Sequence, residues 1–316
     1  MQPAELPLHR RWLYALKPAS WPKLLVSAGL GQGIGVAAAG RVDLLALLLG
    51  AAFTLAHLSF IVLVNDWGDQ EVDAIKRRLY PDGCSPKTIP DDVLEPSSVQ
   101  MGGVGAGVLA LAVAGLGEHL LARSGLLAGG AACLLLLVLY TLPPVRLNYR
   151  GGGEVLEMLG VGFLLPWFHA FLQGGKVMPA GLVVLPAYAL LCLSSALASG
   201  LADEESDRLG GKRTFTTMFG PTAVRQAADG LVLGAILVWA ALPWLAPYYA
   251  QLWMVLPVVV VMVADYRDLR QDGRYRPDAM HRRYKHTLHL CVWRGGLTMA
   301  GMLALAGLLG GGIGCG

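Results

Sequence analysis

Charge is scarce in this chain. Asp, Glu, Lys and Arg make up 15% of its 316 residues against 55% apolar, where an average soluble domain is about 25% charged and 45–50% apolar. That is more apolar sequence than one water-soluble core absorbs. Cysteine is sparse as well. Cys84, Cys133, Cys192, Cys291 and Cys315 are scattered, odd in number and free of CxxC or Cys/His spacing, which excludes a disulfide framework and a zinc site. The 41 glycines follow no Gly-X-Y period and build no low-complexity tract, so collagen-like and disordered classes fall away. With a mean hydropathy of +0.53, what remains is a polytopic membrane protein.

Residues 1–23 carry Arg10, Arg11, Lys17 and Lys23, but no A-x-A site closes a short apolar region behind them. They are read as a cytoplasmic arm, not as a cleavable signal. A spanning helix needs about 20 mostly apolar residues. Nine stretches qualify: about 22–40, 43–64, 101–118, 124–143, 155–174, 179–200, 226–246, 250–265 and 287–311. The eighth is short, which leaves eight as the alternative count. The fold class expected is therefore all-α: a bundle of nine transmembrane helices around a central cavity, with the N-terminus cytoplasmic.

In that frame the inner loops are 1–21, 65–100, 144–154, 201–225 and 266–286. Of the 25 Lys and Arg, only Arg41, Arg123 and Lys176 fall outside and Arg294 within the last span. The asymmetry obeys the positive-inside rule for all nine spans at once. A soluble helical bundle would show polar faces at helical period, and these stretches mostly lack them. The absence of a recognisable targeting segment suggests a bacterial inner membrane, and the charge frame turns the active side to the cytoplasm.

The inner loops also gather the acids, which topology alone does not require. The first cluster is Asn65-Asp66-Trp67-Gly68-Asp69-Gln70-Glu71-Val72-Asp73. If the helix continues, Asp66, Asp69 and Asp73 share one face, and like charges so spaced destabilise a helix unless something positive sits between them. The second cluster runs Asp203-Glu204-Glu205-Ser206-Asp207-Arg208, followed by Lys212 and Arg213. Asp203 and Asp207 are also one turn apart. Hard divalent cations take oxygen ligands, and Mg²⁺ binds one or two carboxylates while keeping waters and substrate phosphates. Two D-x-x-x-D segments on one side of the membrane, each with basic residues downstream, make a site for a divalent metal and a diphosphate. The matched spacing after spans 2 and 6 suggests duplicated four-helix halves, about 20–143 and 155–265, with a final helix 287–311, in a single domain 1–316.

These residues resemble the UbiA superfamily of intramembrane prenyltransferases. The likeness covers most of the chain. Besides the two Asp motifs it includes Ala15-Leu16-Lys17-Pro18, Pro86-Lys87-Thr88-Ile89-Pro90, Tyr140 to Arg150 with Gly151-Gly152-Gly153-Glu154, and Gly211-Lys212-Arg213-Thr214. The Tyr-Arg-Gly-x-Gly-Glu and D-x-x-x-D-R-x-x-G-K-R-T forms look closest to the menaquinone-type branch, which prenylates dihydroxynaphthoate. Ser199 and Ala202 stand where that branch carries Asn and Arg, and Lys17 and Lys87 where the family often has Arg.

The resemblance implies a mechanism. Asp66, Asp69, Asp73, Asp203 and Asp207 hold Mg²⁺ on a prenyl diphosphate, Lys and Arg take the leaving group's charge, and an aromatic, quinone-precursor-like acceptor attacks the allylic cation. The alternative is a terpene cyclase on the same scaffold, which ionises the diphosphate without an acceptor. The partners expected are the prenyl diphosphate, the aromatic acceptor and the bilayer, with no nucleic acid. A transporter would place its ionisable groups at mid-membrane, whereas these sit at the inner ends.

Each further candidate has a bland reading beside it. Asn65 either joins the site or caps a helix. Lys23 either reaches the diphosphate or anchors its helix. Lys87, in a Pro-flanked loop, is read as part of a lid. Arg146 and Arg150 either contact phosphate or serve only as topological charges, and Lys212 is read as diphosphate-binding. Tyr140 either faces a carbocation or sits at the interface. Glu154 and Glu157 open span 5, where an ionisable group points to function. His57 lies about two turns above Asn65, on the pocket wall or in the core. His169 is read as structural, and Arg294 as snorkelling.

Overall fold

The computed structural model describes residues 6–176, 179–272 and 281–310. Cys315, Asp278 and the first five residues of the N-terminal arm lie outside the described residues. The fold is all-helical, with no strand among the described residues. Helix α1 (Leu8–Leu16) precedes α2 (Pro22–Ala39) and α3 (Leu44–Gly68), and α3 is capped by the Asp43 side chain, which accepts from Ala46 N at 3.1 Å. A short helix α4 (Gln70–Leu79) follows, then α5 (Pro96–Leu121) and α6 (Leu126–Thr141). In the second part come α7 (Gly153–Leu159), α8 (Leu165–Gly174), α9 (Pro179–Leu209), α10 (Phe215–Phe219), α11 (Pro221–Leu245), α12 (Leu252–Asp272) and α13 (Arg282–Gly310).

Among the described residues, six helical segments are long and apolar enough to cross a membrane: Leu44–Gly68, Pro96–Leu121, Gly153–Gly174, Val183–Leu209, Pro221–Leu245 and Arg282–Gly310. The other three stretches expected from sequence fall on α2, α6 and α12. Outward-facing residues such as Leu48 and Met101 are apolar and exposed at 67% and 74%, the inverse of a soluble bundle and the surface a bilayer covers.

The span Gly153–Gly174 contains a π turn at Gly160–Leu164. Pro166, just beyond it, lacks an N–H and its ring crowds the preceding turn, so the wider turn carries the helix past it. Helix α2 lies between α8 and α13, and glycine permits the approach. A Cβ on Gly31 would strike the Pro166 carbonyl, and one on Gly33 the Ala300 backbone. Small residues serve this purpose in lipid, where burial alone does not drive helices together.

Candidate active site

Helix α3 ends at Gly68 because Asp69 leaves helical geometry at φ −107°, ψ 12°. Hydrogen bonding continues through the corner: Asp69 N donates to Asn65 O and Asp73 N to Asp69 O, both at 2.9 Å. The first motif is thus bent, not a single straight helix, and Asp66, Asp69 and Asp73 still line one cavity. The second motif occupies the last two turns of α9. Asp203 and Asp207 line the same cavity, whose volume is about 240 Å³.

The two motifs are cross-connected by their own downstream lysines. Lys212, which follows the second motif, donates to Asp69 of the first at 2.6 Å. Lys76, which follows the first, pairs with Asp203 of the second. Lys87 pairs with Asp73 and Lys17 with Asp66. Asp66 also accepts from Thr88 Oγ1 at 2.6 Å, and Asp69 from Asn148 Nδ2 at 3.3 Å. Burial disfavours the charge on Lys212, but Asp69 and Asp207 outweigh it and hold the ammonium well above the usual lysine range. Lys76 behaves oppositely: burial and the nearby Lys87 and Lys285 push it down to about 7 despite Asp207 and Asp73.

Of the residues singled out from sequence, Asn65, Asp66, Asp69, Asp73, Asp203, Asp207, Lys87, Tyr140 and Lys212 meet at this cavity. Three of those expected to bind diphosphate do not line it. Lys23 pairs with Glu157 and lines a second, apolar chamber of about 170 Å³. Arg146 turns away, donating to Gly68 O at 2.7 Å and stacking 3.6 Å from the Tyr149 ring centroid, so it backs the corner of the first motif from behind. Arg150 is exposed and outside the cavity wall, as a residue whose charge serves topology would be. His169 is satisfied within the core by Thr54 and Gln32. Arg294 is paired with Asp265 at 2.6 Å.

Sequence reasoning assigned neither Lys17 nor Asn148 to the site, and counted Lys76 only among the basic residues downstream of the first motif, without a place of its own. Lys76 stands seven residues after Asp69 and three after Asp73, a helical spacing that could have found it. Lys17 has left-handed backbone geometry, φ 48°, uncommon for a residue with a Cβ, and this turn delivers its ammonium to Asp66. Asn148 gave no signal. Glu154 is also engaged: its Oε1 accepts from Phe215 N at 2.7 Å and ties α7 to α10.

No three His, Cys, Asp or Glu side chains among the described residues are grouped to cage a metal by themselves. The donor set nevertheless suits Mg²⁺, which needs only one or two carboxylates alongside water and phosphate oxygens. Hard carboxylates stand on the cavity wall from two segments, and four lysines beside them supply the cations a diphosphate requires.

A sequence profile described as the UbiA prenyltransferase family matches residues 24–293. Chlorophyll synthase of Arabidopsis thaliana is 26% identical over 236 residues, 71% of this chain and 56% of that protein. The chain spans 56–58% of the length of the plant chlorophyll synthases it matches. The 1,4-dihydroxy-2-naphthoate octaprenyltransferase of Escherichia coli is 26% identical over 270 residues, 83% of this chain and 85% of that protein. Among solved structures, a UbiA homolog from Archaeoglobus fulgidus bound to DMAPP and Mg²⁺ superposes with a TM-score of 0.67 at 17% identity, covering 92% of this chain and 99% of that one. That likeness shows a shared fold.

Proposed function

The chain belongs to the UbiA prenyltransferase family, and from that premise we propose that it is a Mg²⁺-dependent intramembrane prenyltransferase, moving an isoprenoid chain from a prenyl diphosphate to an aromatic, quinone-precursor-like acceptor. The observation that carries this reading is the crossed pairing of Lys212 with Asp69 and Lys76 with Asp203, which ties two distant acidic segments to one cavity. Relatives named as a dihydroxynaphthoate octaprenyltransferase and a fold neighbour bound to DMAPP and Mg²⁺ support it.

Asp66, Asp69, Asp73, Asp203 and Asp207 would hold the metal, which when bound offsets charge on the departing diphosphate. Lys17, Lys76, Lys87 and Lys212 donate to the remaining diphosphate oxygens, where charge grows as the allylic C–O bond breaks and its electron pair leaves with the oxygen. The acceptor carbon then forms the new C–C bond to the allylic cation and its ring proton departs. Tyr140 lines both this cavity and the apolar chamber, a position from which its ring face meets the cation. Lys23, Arg146 and Arg150 are left out of the diphosphate set.

The same reading takes nine membrane-crossing helices with the N-terminus cytoplasmic, and the site opening to the cytoplasm of a bacterial inner membrane. Residues 1–316 form one UbiA-like domain, with duplicated halves at about 20–143 and 155–265 and a final helix at 287–311. The crossed lysines support the duplication, since each half's motif is completed by the other half's cation.

The test is incubation of the purified protein in nanodiscs with Mg²⁺ and geranyl or farnesyl diphosphate, with and without 1,4-dihydroxy-2-naphthoate. Acceptor-dependent diphosphate release with a prenylated product is expected. Release without acceptor would make it a terpene cyclase, and no release in either case would overturn the reading.

A further inference from the structure

The apolar chamber next to the diphosphate cavity contains one polar group that its surroundings leave unmatched. His57, in the middle of α3, is 4% exposed and lines this chamber. By hydrogen-bond geometry both ring nitrogens are left over, and the polar group that the ring faces is the Cys133 backbone, which can serve at most one of them. Its ring packs against Phe53, centroids 5.4 Å apart. Of the other polar residues in the lining, Lys23 pairs with Glu157, and Asn65 Oδ1 accepts from Thr141 Oγ1 at 3.1 Å. The contrast with His169 is direct, for that ring has Thr54 Oγ1 at 3.0 Å and Gln32 at 3.1 Å on its two nitrogens. A buried polar group without a partner is rare and needs an explanation, and an ionisable one within a membrane span points to function.

The size of the chamber says which substrate suits it. About 170 Å³ compares with an apolar cavity of about 150 Å³ that takes up benzene. One aromatic ring fits, and the unmatched imidazole favours a ligand that carries oxygen over a hydrocarbon chain. The ring's way to the diphosphate cavity is short, because Asn65, Tyr140 and Glu157 line both spaces. From Asn65 to His57 is eight residues of helix, about 12 Å of rise.

We propose that this chamber holds the aromatic ring of the prenyl acceptor, with His57 hydrogen-bonded to a hydroxyl or carbonyl oxygen on that ring. The proposal rests on the prenyl-transfer reading for the name of the ligand, but not for its chemistry. His57 is a specificity-determining residue here: it rewards a ring that brings its own oxygen, because an apolar ring leaves the imidazole unsatisfied. No proton transfer is assigned to it.

The experiment compares p-cresol with p-xylene, which differ by a hydroxyl in place of a methyl group. Binding to the full chain in nanodiscs is measured by equilibrium dialysis against protein-free nanodiscs. The wild-type protein is expected to hold p-cresol about fivefold more tightly, as one hydrogen bond would give. His57→Phe should abolish that preference, and His57→Gln, which keeps a donor and an acceptor, should retain it. Equal binding of the two probes by the wild type overturns the proposal, whether or not the variants fold. So does a His57→Phe protein whose p-cresol preference is intact while its KM for geranyl diphosphate has risen, since the chamber would then belong to the prenyl chain. A wild type that selects p-cresol yet releases no diphosphate upholds the chamber and overturns the transferase reading.

Discussion

Arg77 grips Asp91 with two parallel hydrogen bonds, Nε and Nη2 each 2.6 Å from a carboxylate oxygen. The same carboxylate accepts from Lys87 N at 2.9 Å and from the Tyr14 hydroxyl. Asp91 therefore joins α1, α4 and the Pro-flanked loop whose Lys87 and Thr88 reach Asp73 and Asp66. Burial alone would raise its pKa, but the bonds from Arg77 and Tyr14 overcome this and hold the carboxyl below its usual range. Loss of the charge-assisted fork should free the loop. Asp91→Ala is expected to raise KM for the prenyl diphosphate severalfold with a smaller change in kcat. Hydrogen exchange should quicken at the amides of Asp91 and Val93, which now bond to Lys87 O and Thr88 O. Unchanged exchange with reduced activity would disprove the positioning role.

Each of Asp66, Asp69 and Asp73 is neutralised by a lysine. Metal can take the carboxylates only if those ammonium groups find other anions, and diphosphate supplies them. Mg²⁺ and diphosphate should therefore bind interdependently, each tightening the other by about tenfold, within the usual range of coupling between sites. Calorimetric titration of inorganic diphosphate with and without Mg²⁺ checks this. Additive binding would count against it.

Removing the metal or a carboxylate should stop catalysis. EDTA is expected to abolish diphosphate release and added Mg²⁺ to restore it. Asp69→Asn should lower kcat by about 100-fold or more, comparable to losing one preorganised electrostatic contact at a developing anion. A variant within a few-fold of wild type in a single-turnover assay would remove Asp69 from the site.

Lys76 gives the site a pH dependence with a determined sign. Burial and neighbouring lysines bring it down to about 7 in the folded protein from 10.5, so the folded state disfavours its charged form. Between about 7 and 10.5 the unfolded chain holds the proton that the folded chain lacks, and stability rises with pH through that window. Diphosphate affinity should move oppositely, weakening between pH 6 and 8 as the ammonium discharges. In Lys76→Arg the guanidinium stays charged, and the difference between variant and wild type across that range isolates the effect.

Lys23→Met separates fold from chemistry. Glu157 would lose its partner in a partly buried setting, which destabilises more than the pair itself contributes. The melting temperature should fall by several degrees while inorganic diphosphate binds as before. A selective loss of diphosphate affinity would return Lys23 to the site.

Composition and charge placement by themselves determined a helical membrane protein, because the bilayer requires apolar runs of a set length and sorts Lys and Arg to one side. The acidic motifs were legible for a related reason: carboxylates crowded at helix ends have no structural need to be there. What only the tertiary structure decided was which cations meet which acids. Lys17 reaches Asp66 through one left-handed residue, Lys76 and Lys212 cross between the two acidic segments, and Arg150 stays outside. Each depends on where distant helices pack and how a short loop turns. The match between His57 and its chamber is of that kind too, since an unpartnered imidazole shows itself only when every neighbour is in place.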